Sequence, residues 1–126
     1  KMKNIQLFSL QKNDGSEQLE KKFNEIRITN LGSDLDKDAP FLDTAILMKK
    51  LDLIITVDTS IAHLAGSMGC KVWVVLQYIP DWRWMLDKKF TPWYPSMKLF
   101  RQSKLNDWSA PFKQIEKEIN LFINNN

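Results

Sequence analysis

The sequence predicts an α/β fold, an open and doubly wound sheet of mostly parallel strands. Apolar runs alternate with amphipathic stretches of about ten residues along the 126-residue chain, a pattern typical of βαβ units with right-handed crossovers. Two runs, Leu51–Val57 and Lys71–Leu76, are almost continuously apolar. This favours strands buried on both faces, as in a parallel sheet. A chain of this length is expected to form one domain, residues 1–126.

Two short strands flank a helix in the first part of the chain. Asn4–Leu10 and Glu25–Leu31 have the composition of strands, and the second is followed by a glycine. Between them, Ser16–Asn24 places Leu19 and Phe23 four residues apart, which puts both on one face of a helix. The segment thus predicts the first strand–helix–strand unit.

A second helix is predicted before the apolar strand Leu51–Val57. Asp36 or Asp38 can cap its amino terminus, and Pro40 suits its first turn. Its apolar face would consist of Phe41, Ala45 and Met48.

The second half of the chain continues the alternation. Helix Ser60–Met68 precedes the strand Lys71–Leu76, and the loop Tyr78–Pro95 then leads to strand Met97–Arg101. One helical turn is expected inside the loop, at Trp84–Asp87. The buried stripe of the first of these helices would consist of Ile61, Leu64, Ala65 and Met68.

The last predicted helix begins near residue 109. Asp107 or Ser109 can cap it, and Pro111 suits its first turn. Its buried stripe would consist of Phe112, Ile115, Ile119, Phe122 and Ile123.

Composition excludes several classes of protein. The net charge is only +3 and the basic residues are interspersed, so nucleic acid is not an expected partner. One cysteine and one histidine leave no internal disulfide and no structural zinc cluster, and Cys70, placed before an apolar strand, favours a buried thiol. No run approaches the roughly 18 apolar residues of a membrane span, and no signal-peptide pattern opens the sequence. A cytoplasmic location is therefore expected.

The most informative segment is TVDTSIAHLAGSMG, residues 56–69. An apolar strand ends there in Asp58, Thr59 and Ser60, and a helix then begins. The free N–H groups of a first helical turn and the helix dipole both favour an anion such as a phosphate. The same residues are also ordinary helix caps. His63 lies off the apolar stripe, so it is either a ligand contact or a solvated surface residue.

Other functional classes are disfavoured by spacing. No GxGxxG or Walker loop occurs, which argues against a plain NAD-binding domain and a P-loop ATPase. Asp58, Ser60 and His63 fall within six residues and no GxSxG is present, so a hydrolase triad is not expected. The alternating aspartates after Gly32 are not followed by a glutamate at the spacing of a calcium loop.

Aromatic residues concentrate in PDWRWMLD and TPWYPS. Trp82, Trp84 and Trp93 could stack on a sugar or a base, beside Arg83. Alternatively they pin a long loop onto the sheet, and we favour this second interpretation. Among the polar residues here, Arg83 and Arg101 are the ones to test by mutation.

The run LDLIITVDTSIAHLAGSMGCKVWVVL, followed by PDWRWMLDKKFTPWYPSMKLFRQ and NDW, resembles the carboxyl-terminal part of bacterial glycosyltransferases. It is most similar to the glycosyltransferase regions behind tetratricopeptide repeats and, more distantly, to the heptosyltransferases of lipopolysaccharide synthesis. The resemblance covers about residues 8–108. It implies a GT-B enzyme, in which this Rossmann-like half binds a nucleotide-diphosphate sugar for hexosyl or heptosyl transfer.

The resemblance also implies site residues. Asp58 would face the donor sugar or the opposite domain, and His63 would stand close to the phosphates, which makes these two the expected catalytic residues. Thr59, Ser60 and Ile61 would contact the diphosphate.

Four further residues, with Arg83, complete the expected substrate-binding set. Asp43 and Thr44 would border the base or ribose, and Gln11 and Lys12 would line the same cleft. Lys12 is either a partner for phosphate or a solvated turn lysine. The expected leaving-group stabilisation needs no metal, and no other cofactor is implied.

Relatives of this kind carry one more βα unit before the SLQ strand, and a separate amino-terminal acceptor domain. The chain is therefore expected to be a fragment, inactive alone, whose neighbouring strands pair anew or form a homodimer through an exposed strand edge. The alternatives are a non-catalytic nucleotide-binding or protein-interaction module and, less favoured, a GT-B epimerase.

Overall fold

The structure, a computed structural model, describes residues 5–12, 16–20 and 27–124. These fall into two compact units, Lys1–Leu47 and Met48–Asn126. Both contain parallel strands, and helices accompany them, so the predicted α/β class with parallel pairing is confirmed. The predicted single sheet is not observed, because the described strands form one two-stranded and one three-stranded sheet.

The first unit contains the smaller sheet. Strand β1 (Leu7–Ser9) pairs in parallel with β2 (Ile28–Asn30). Between them the structure has a 3-10 helix at Ser16–Glu20, and the rest of the predicted helix, with Phe23, lies outside the described residues. A hydrogen bond of 2.9 Å from the Leu31 N–H to the Ser9 carbonyl continues the pairing beyond the strands.

Helix α1 (Leu42–Met48) closes this part of the chain. Its buried residues are Thr44 and Met48, which are one turn apart, whereas Phe41 is 46% exposed. The predicted Phe41–Ala45–Met48 face is thus wrong at its first member. Phe41 has a φ of 62° and precedes the first helical residue, so it does not share the helical periodicity.

The second unit is built on strands β3 (Ile54–Val57), β4 (Val72–Leu76) and β5 (Met97–Arg101), in the spatial order β3-β4-β5 and all parallel. Helix α2 (Ser60–Ser67) connects β3 to β4, and α3 (Ser109–Asn124) follows β5. The bounds of β5 agree with the prediction, and those of β4 and α2 agree to within one residue.

Burial differs between the centre and the edge of this sheet. All five residues of β4 are buried, as predicted for a strand covered on both faces. In β3 the prediction is wrong, because Ile55 is 43% and Val57 is 50% exposed. Successive side chains of a strand point to opposite faces of the sheet, and in β3 the face that carries Ile55 and Val57 is the less covered one. The homodimer through a strand edge stays a prediction.

Helix α3 covers one face of the larger sheet. Trp73, Val75, Phe100 and Ile115 form a buried cluster, and Ile119 and Phe122 of α3 pack against it together with Leu53. The predicted stripe is wrong for Phe112, which is 54% exposed. Its ring lies 6.5 Å from that of Trp108, just before the helix, instead of in the core.

Helix α2 packs against the rest of the second unit through its smallest side chains. Its buried residues are Ala62, Ala65 and Gly66, of which only Ala65 belongs to the predicted stripe. Bulky Ile61, Leu64 and Met68 are half-buried instead, because a close helix–sheet approach favours the smallest side chains.

The carboxyl end of α2 is closed by a glycine. Gly69 has a left-handed φ of 70°, and its N–H bonds the Gly66 carbonyl at 3.0 Å. The next N–H, of Cys70, bonds the Ala65 carbonyl at 3.0 Å, and the Cys70 thiol is buried, as expected.

In the part of the chain that the structure describes, no helix is long and apolar enough to cross a membrane.

Gly32 lies directly against the backbone of Gln11 in the first unit, where only a residue without a side chain fits. A Cβ at this position would lie 2.0 Å from the Gln11 carbonyl oxygen and 2.6 Å from the carbonyl carbon. These are backbone atoms, which cannot rotate away as a side chain could. We expect Gly32→Ala to force β1 and β2 apart and to reduce local stability by about 1–3 kcal/mol. Hydrogen exchange at the Leu31 amide measures this. Asp38→Ala, at an exposed position of the same unit, is the control; unchanged exchange in Gly32→Ala would contradict the close contact.

Candidate binding site at the carboxyl edge of the larger sheet

The carboxyl ends of β3, β4 and β5 lie at one edge of the sheet, because the strands are parallel. The β3–α2 turn, residues 58–59, leaves this edge first. The Trp-rich loop follows β4, and Arg101 ends β5. In open α/β sheets, ligands bind outside the carboxyl ends of the strands. This edge is therefore the candidate place for a binding site.

The β3–α2 turn leaves the start of the helix uncapped by side chains. Thr59 is the N-cap in extended conformation, with φ −142° and ψ 171°, and makes no side-chain cap hydrogen bond. Its hydroxyl instead lies 3.4 Å from the Thr56 hydroxyl. The first turn bond runs from the Ala62 N–H to the Thr59 carbonyl at 3.0 Å. The earlier N–H groups, of Ser60 and Ile61, are thus suited to an external acceptor.

His63 connects this turn to the Trp-rich loop. Its Nδ1 lies 3.1 Å from the Tyr94 hydroxyl, and its Nε2 lies 3.9 Å from Asp58 Oδ1. The imidazole stacks on Trp84, with ring centroids 5.2 Å apart and planes at 24°. Its side chain is 36% exposed. The ring is therefore oriented by three neighbours while remaining open to solvent.

An open pocket of about 250 Å³ adjoins the histidine. Trp82 and Trp93 are 71% and 55% exposed there. The Trp93 indole N–H donates to the Arg83 carbonyl at 3.1 Å, which holds two lining residues together. The pocket is lined by His63, Trp82, Arg83, Trp93 and Tyr94. Its aromatic side chains are open to solvent, and the Arg83 guanidinium lies over the Trp82 ring, 5.1 Å from its centroid.

The cation in this pocket is paired. Arg83 Nη1 donates to Asp81 Oδ1 at 2.8 Å, and the Arg83 N–H donates to the same oxygen at 3.0 Å. The backbone N–H bond from Arg83 is the largest cause that lowers the pKa of Asp81; burial opposes it, and the bond from the guanidinium adds to the lowering. Arg83 thus contributes a directed N–H fork more than a free positive charge.

Trp84 anchors the loop onto the sheet. It is 1% exposed, and its carbonyl accepts a hydrogen bond from Arg101 Nη2. Burial lowers the pKa of the Arg101 guanidinium, an effect that Asp87 opposes. The helical turn lies at Trp82–Trp84 and not at the predicted Trp84–Asp87, because the Asp81 carboxylate caps it.

The two interpretations of the aromatic loop therefore apply to different residues. Trp84 pins the loop, as the favoured interpretation requires, whereas Trp82 and Trp93 face the pocket.

In the first unit, a second cluster surrounds Asp36. Its carboxylate accepts hydrogen bonds from Lys12 Nζ, from the Thr44 N–H at 2.9 Å and from the Thr44 hydroxyl at 2.6 Å. Asp43 accepts from the Asp36 N–H at 2.8 Å. Burial opposes ionisation, yet the bonds from Lys12 and Thr44 outweigh it and hold the pKa of Asp36 well below its usual range. Asp36 thus caps α1 by accepting the Thr44 N–H, although it lies six residues before the helix. Of the two predicted caps, Asp36 and Asp38, the structure has Asp36.

The expected site residues separate into two groups. Asp58, Thr59, Ser60, Ile61, His63 and Arg83 lie at the turn and pocket of the second unit. In the first unit, Lys12, Asp43 and Thr44 contact Asp36, and Lys12 forms an ion pair with it while its side chain is 36% exposed. Its expected role as a partner for phosphate stays a prediction. Gln11 lies beside them, with its carbonyl against Gly32.

The sequence did not predict the contacts that three further residues make with the expected site residues. Tyr94 and Trp84 hold His63, and Asp36 collects the polar groups of the first unit. Gly66 could have indicated the position of Tyr94, since a glycine inside a helix often marks a place where another residue packs closely against the helix. In the structure that residue is Tyr94.

Among the described residues, no group of three or more His, Cys, Asp or Glu side chains could hold a metal ion. Comparison of the chain with protein-family models, with curated proteins and with solved structures finds no match.

Asp36→Asn tests the cluster of the first unit. Asparagine tolerates the φ of 58° and keeps one oxygen for Thr44, but it loses the ion pair with Lys12. Because folding lowers the pKa of Asp36, its stabilisation is complete above the unfolded pKa of about 4 and is lost at lower pH. We expect a melting temperature a few degrees lower at neutral pH, with the difference from wild type shrinking in acid.

Thermal unfolding from neutral pH to about pH 2 measures this difference. Exposed Asp38→Asn is the matched control. A difference that stays constant over the whole range would show that the carboxylate charge of Asp36 does not stabilise the fold.

Gly66→Ala tests the support of the pocket. The added Cβ would lie 2.7 Å from Tyr94 Cγ and 2.8 Å from Met97 Cε. Because Cγ is the fixed base of the ring, Tyr94 must shift and leave His63. We expect a loss of about 1–3 kcal/mol in the free energy of unfolding and changed NMR shifts of the His63 ring. Ser67→Ala, at an exposed position of α2, should leave those shifts unchanged; equal spectra for both variants would refute the contact.

Proposed function

We propose that this chain binds a nucleotide-diphosphate sugar and forms the donor half of a GT-B glycosyltransferase. The observation that supports this most strongly is the junction at His63, where the uncapped β3–α2 turn meets an open aromatic pocket at the carboxyl edge of a parallel sheet. A ligand with a charged and a ring-shaped part fits such a junction.

The diphosphate is assigned to the turn. The N–H groups of Ser60 and Ile61 and the hydroxyl of Thr59 provide donors, and the positive end of the α2 dipole adds to them. Asp58 is a like charge at the same turn, so the phosphates must lie on its His63 side. His63 Nε2 lies 3.9 Å from Asp58 Oδ1. In this proposal a proton on Nε2 is donated to a phosphate oxygen on the side of the turn where His63 lies.

The pocket is assigned to a ring of the ligand. The exposed faces of Trp82 and Trp93 suit the apolar face of a sugar or a base. Arg83, held by Asp81, can donate to hydroxyl or phosphate oxygens at the pocket rim.

In glycosyl transfer, negative charge builds on the departing diphosphate. Fixed N–H donors at the turn stabilise this charge without reorganising. Asp58 would face the sugar and His63 a phosphate oxygen, while the acceptor and the general base belong to another domain. Asp43, Thr44, Gln11 and Lys12 belong to the first unit and are not assigned to this turn and pocket; their contact with a base or ribose stays a prediction from the resemblance.

A non-catalytic binding module is the second candidate. It is favoured by one observation: Lys12 and Arg83, two of the cations expected to meet phosphate, both form ion pairs with aspartates of the chain. Binding of nucleotide sugars without acceptor-dependent transfer by the full-length protein would favour this candidate.

Ligand-observed NMR with ADP, UDP, GDP and their common sugar conjugates tests the proposal. We expect Thr59→Val to weaken binding about 5–20-fold, because one hydrogen bond to a charged group is lost. Helix stability should change little, since Thr59 makes no side-chain cap bond. Thr29→Val, at an exposed position of β2, is the matched control.

Binding that is equal in wild type and Thr59→Val would remove the diphosphate from this turn. No binding of any nucleotide to the wild type would count against the donor-binding function itself.

A further inference from the structure

We infer that Tyr94 is the positioning residue for His63: its hydroxyl donates to Nδ1 and keeps the imidazole proton on Nε2, directed at a phosphate oxygen at the β3–α2 turn. The identity of that acceptor rests on the proposed function. The Tyr94–His63 hydrogen bond belongs to the folded chain and can be tested without any ligand.

The direction of the bond follows from the charge on the other side of the ring. A neutral imidazole carries one N–H and one lone pair. Nε2 faces the Asp58 carboxylate at 3.9 Å, and an anion favours the nitrogen that bears the proton. Nδ1 is then the acceptor, and the Tyr94 hydroxyl, 3.1 Å away, is the donor. The opposite tautomer would direct a lone pair at Asp58.

The Nε2 proton is available to a ligand. A separation of 3.9 Å from Asp58 Oδ1 exceeds hydrogen-bond distance, so the carboxylate orients the proton without binding it. The other charged groups that face this pocket, Asp81 and Arg83, are paired with each other. An oxyanion beside Ser60 would therefore find the Nε2 proton uncommitted.

Ring position and proton position are controlled by different neighbours. Trp84 stacks on the imidazole at 5.2 Å and holds its plane. Tyr94 meets it edge-on, with centroids 5.8 Å apart and planes at 62°, and is itself seated against Gly66. Removing only the Tyr94 hydroxyl leaves the ring in place and removes the donor to Nδ1, so the share of imidazole protonated on Nδ1 should rise although Asp58 still favours Nε2. A merely structural role for Tyr94 would not move the tautomer.

The experiment is nitrogen NMR of the imidazole in the whole chain, whose single histidine makes the assignment unambiguous. In the wild type we expect Nε2 protonated and Nδ1 unprotonated. Tyr94→Phe should give a mixture of tautomers. Tyr78→Phe, which alters the other tyrosine, 48% exposed, is the matched control and should resemble the wild type.

Binding of inorganic pyrophosphate provides the second readout. Because only one tautomer donates from Nε2, we expect Tyr94→Phe to raise the dissociation constant in proportion to the share of that tautomer that is lost, about twofold for an equal mixture. Tyr78→Phe should leave it unchanged.

Each result decides between the two proposals. A wild-type histidine protonated on Nδ1, or a tautomer unchanged in Tyr94→Phe, would overturn the inference; the wild-type measurement does so even if the variant fails to fold. A changed tautomer together with weaker pyrophosphate binding would support it. A changed tautomer in a chain that binds no pyrophosphate would support the hydrogen bond and overturn both the phosphate acceptor and the proposed function.

Discussion

The parallel pairing of β4 with both β3 and β5 is the constraint on which the second unit depends. Its five residues are buried, so β4 requires a hydrogen-bonded strand on each side and apolar cover on both faces. Because all three strands run in one direction, their carboxyl ends meet at one edge. The β3–α2 turn, the Trp-rich loop and Arg101 leave from that edge, which is why polar and aromatic groups distant in sequence gather there.

Close packing at two glycines shapes the polar parts of the molecule. Gly32 brings the backbone beyond β2 against Gln11, and Gly66 brings Tyr94 against α2. In both places a methyl group would fill the space that a neighbour occupies. At Gly66 the consequence is chemical, since the Tyr94 hydroxyl reaches His63 only because the ring lies directly on the helix.

Charge pairing limits what the basic residues can do. Asp36 binds Lys12 in the first unit, and Asp81 binds Arg83 in the second. A ligand that recruits either cation must compete with a carboxylate whose pKa is already lowered. The start of α2 differs, because the N-cap residue Thr59 makes no side-chain cap hydrogen bond there, although the Asp58 carboxylate at the same turn is itself an anion.

Much of the fold follows from the sequence because strand periodicity and helix capping are local properties. The positions of β4, β5 and α2 could be read from the residues themselves, and Asp36 was one of two caps that the sequence allowed for α1. The strand-to-helix turn at Asp58–Ser60 and the place of His63 off the apolar stripe are of the same kind. Hydrophobic content alone, however, wrongly predicted a two-faced burial of β3, since burial of each face depends on what packs over that face.

Side-chain partners are set by the folded chain. Nothing local to Tyr94 or His63, 31 residues apart, indicates that they share a hydrogen bond. Nothing in Lys12 indicates that Asp36 takes its charge, and nothing in Trp84 or Trp93 says which is buried. These outcomes depend on how elements pack after the chain has turned several times, and small differences in distance and burial then decide whether a residue pairs internally or faces a ligand. The sequence alone therefore establishes the strand-and-helix order and the polar turn, whereas packing establishes the environment of the histidine.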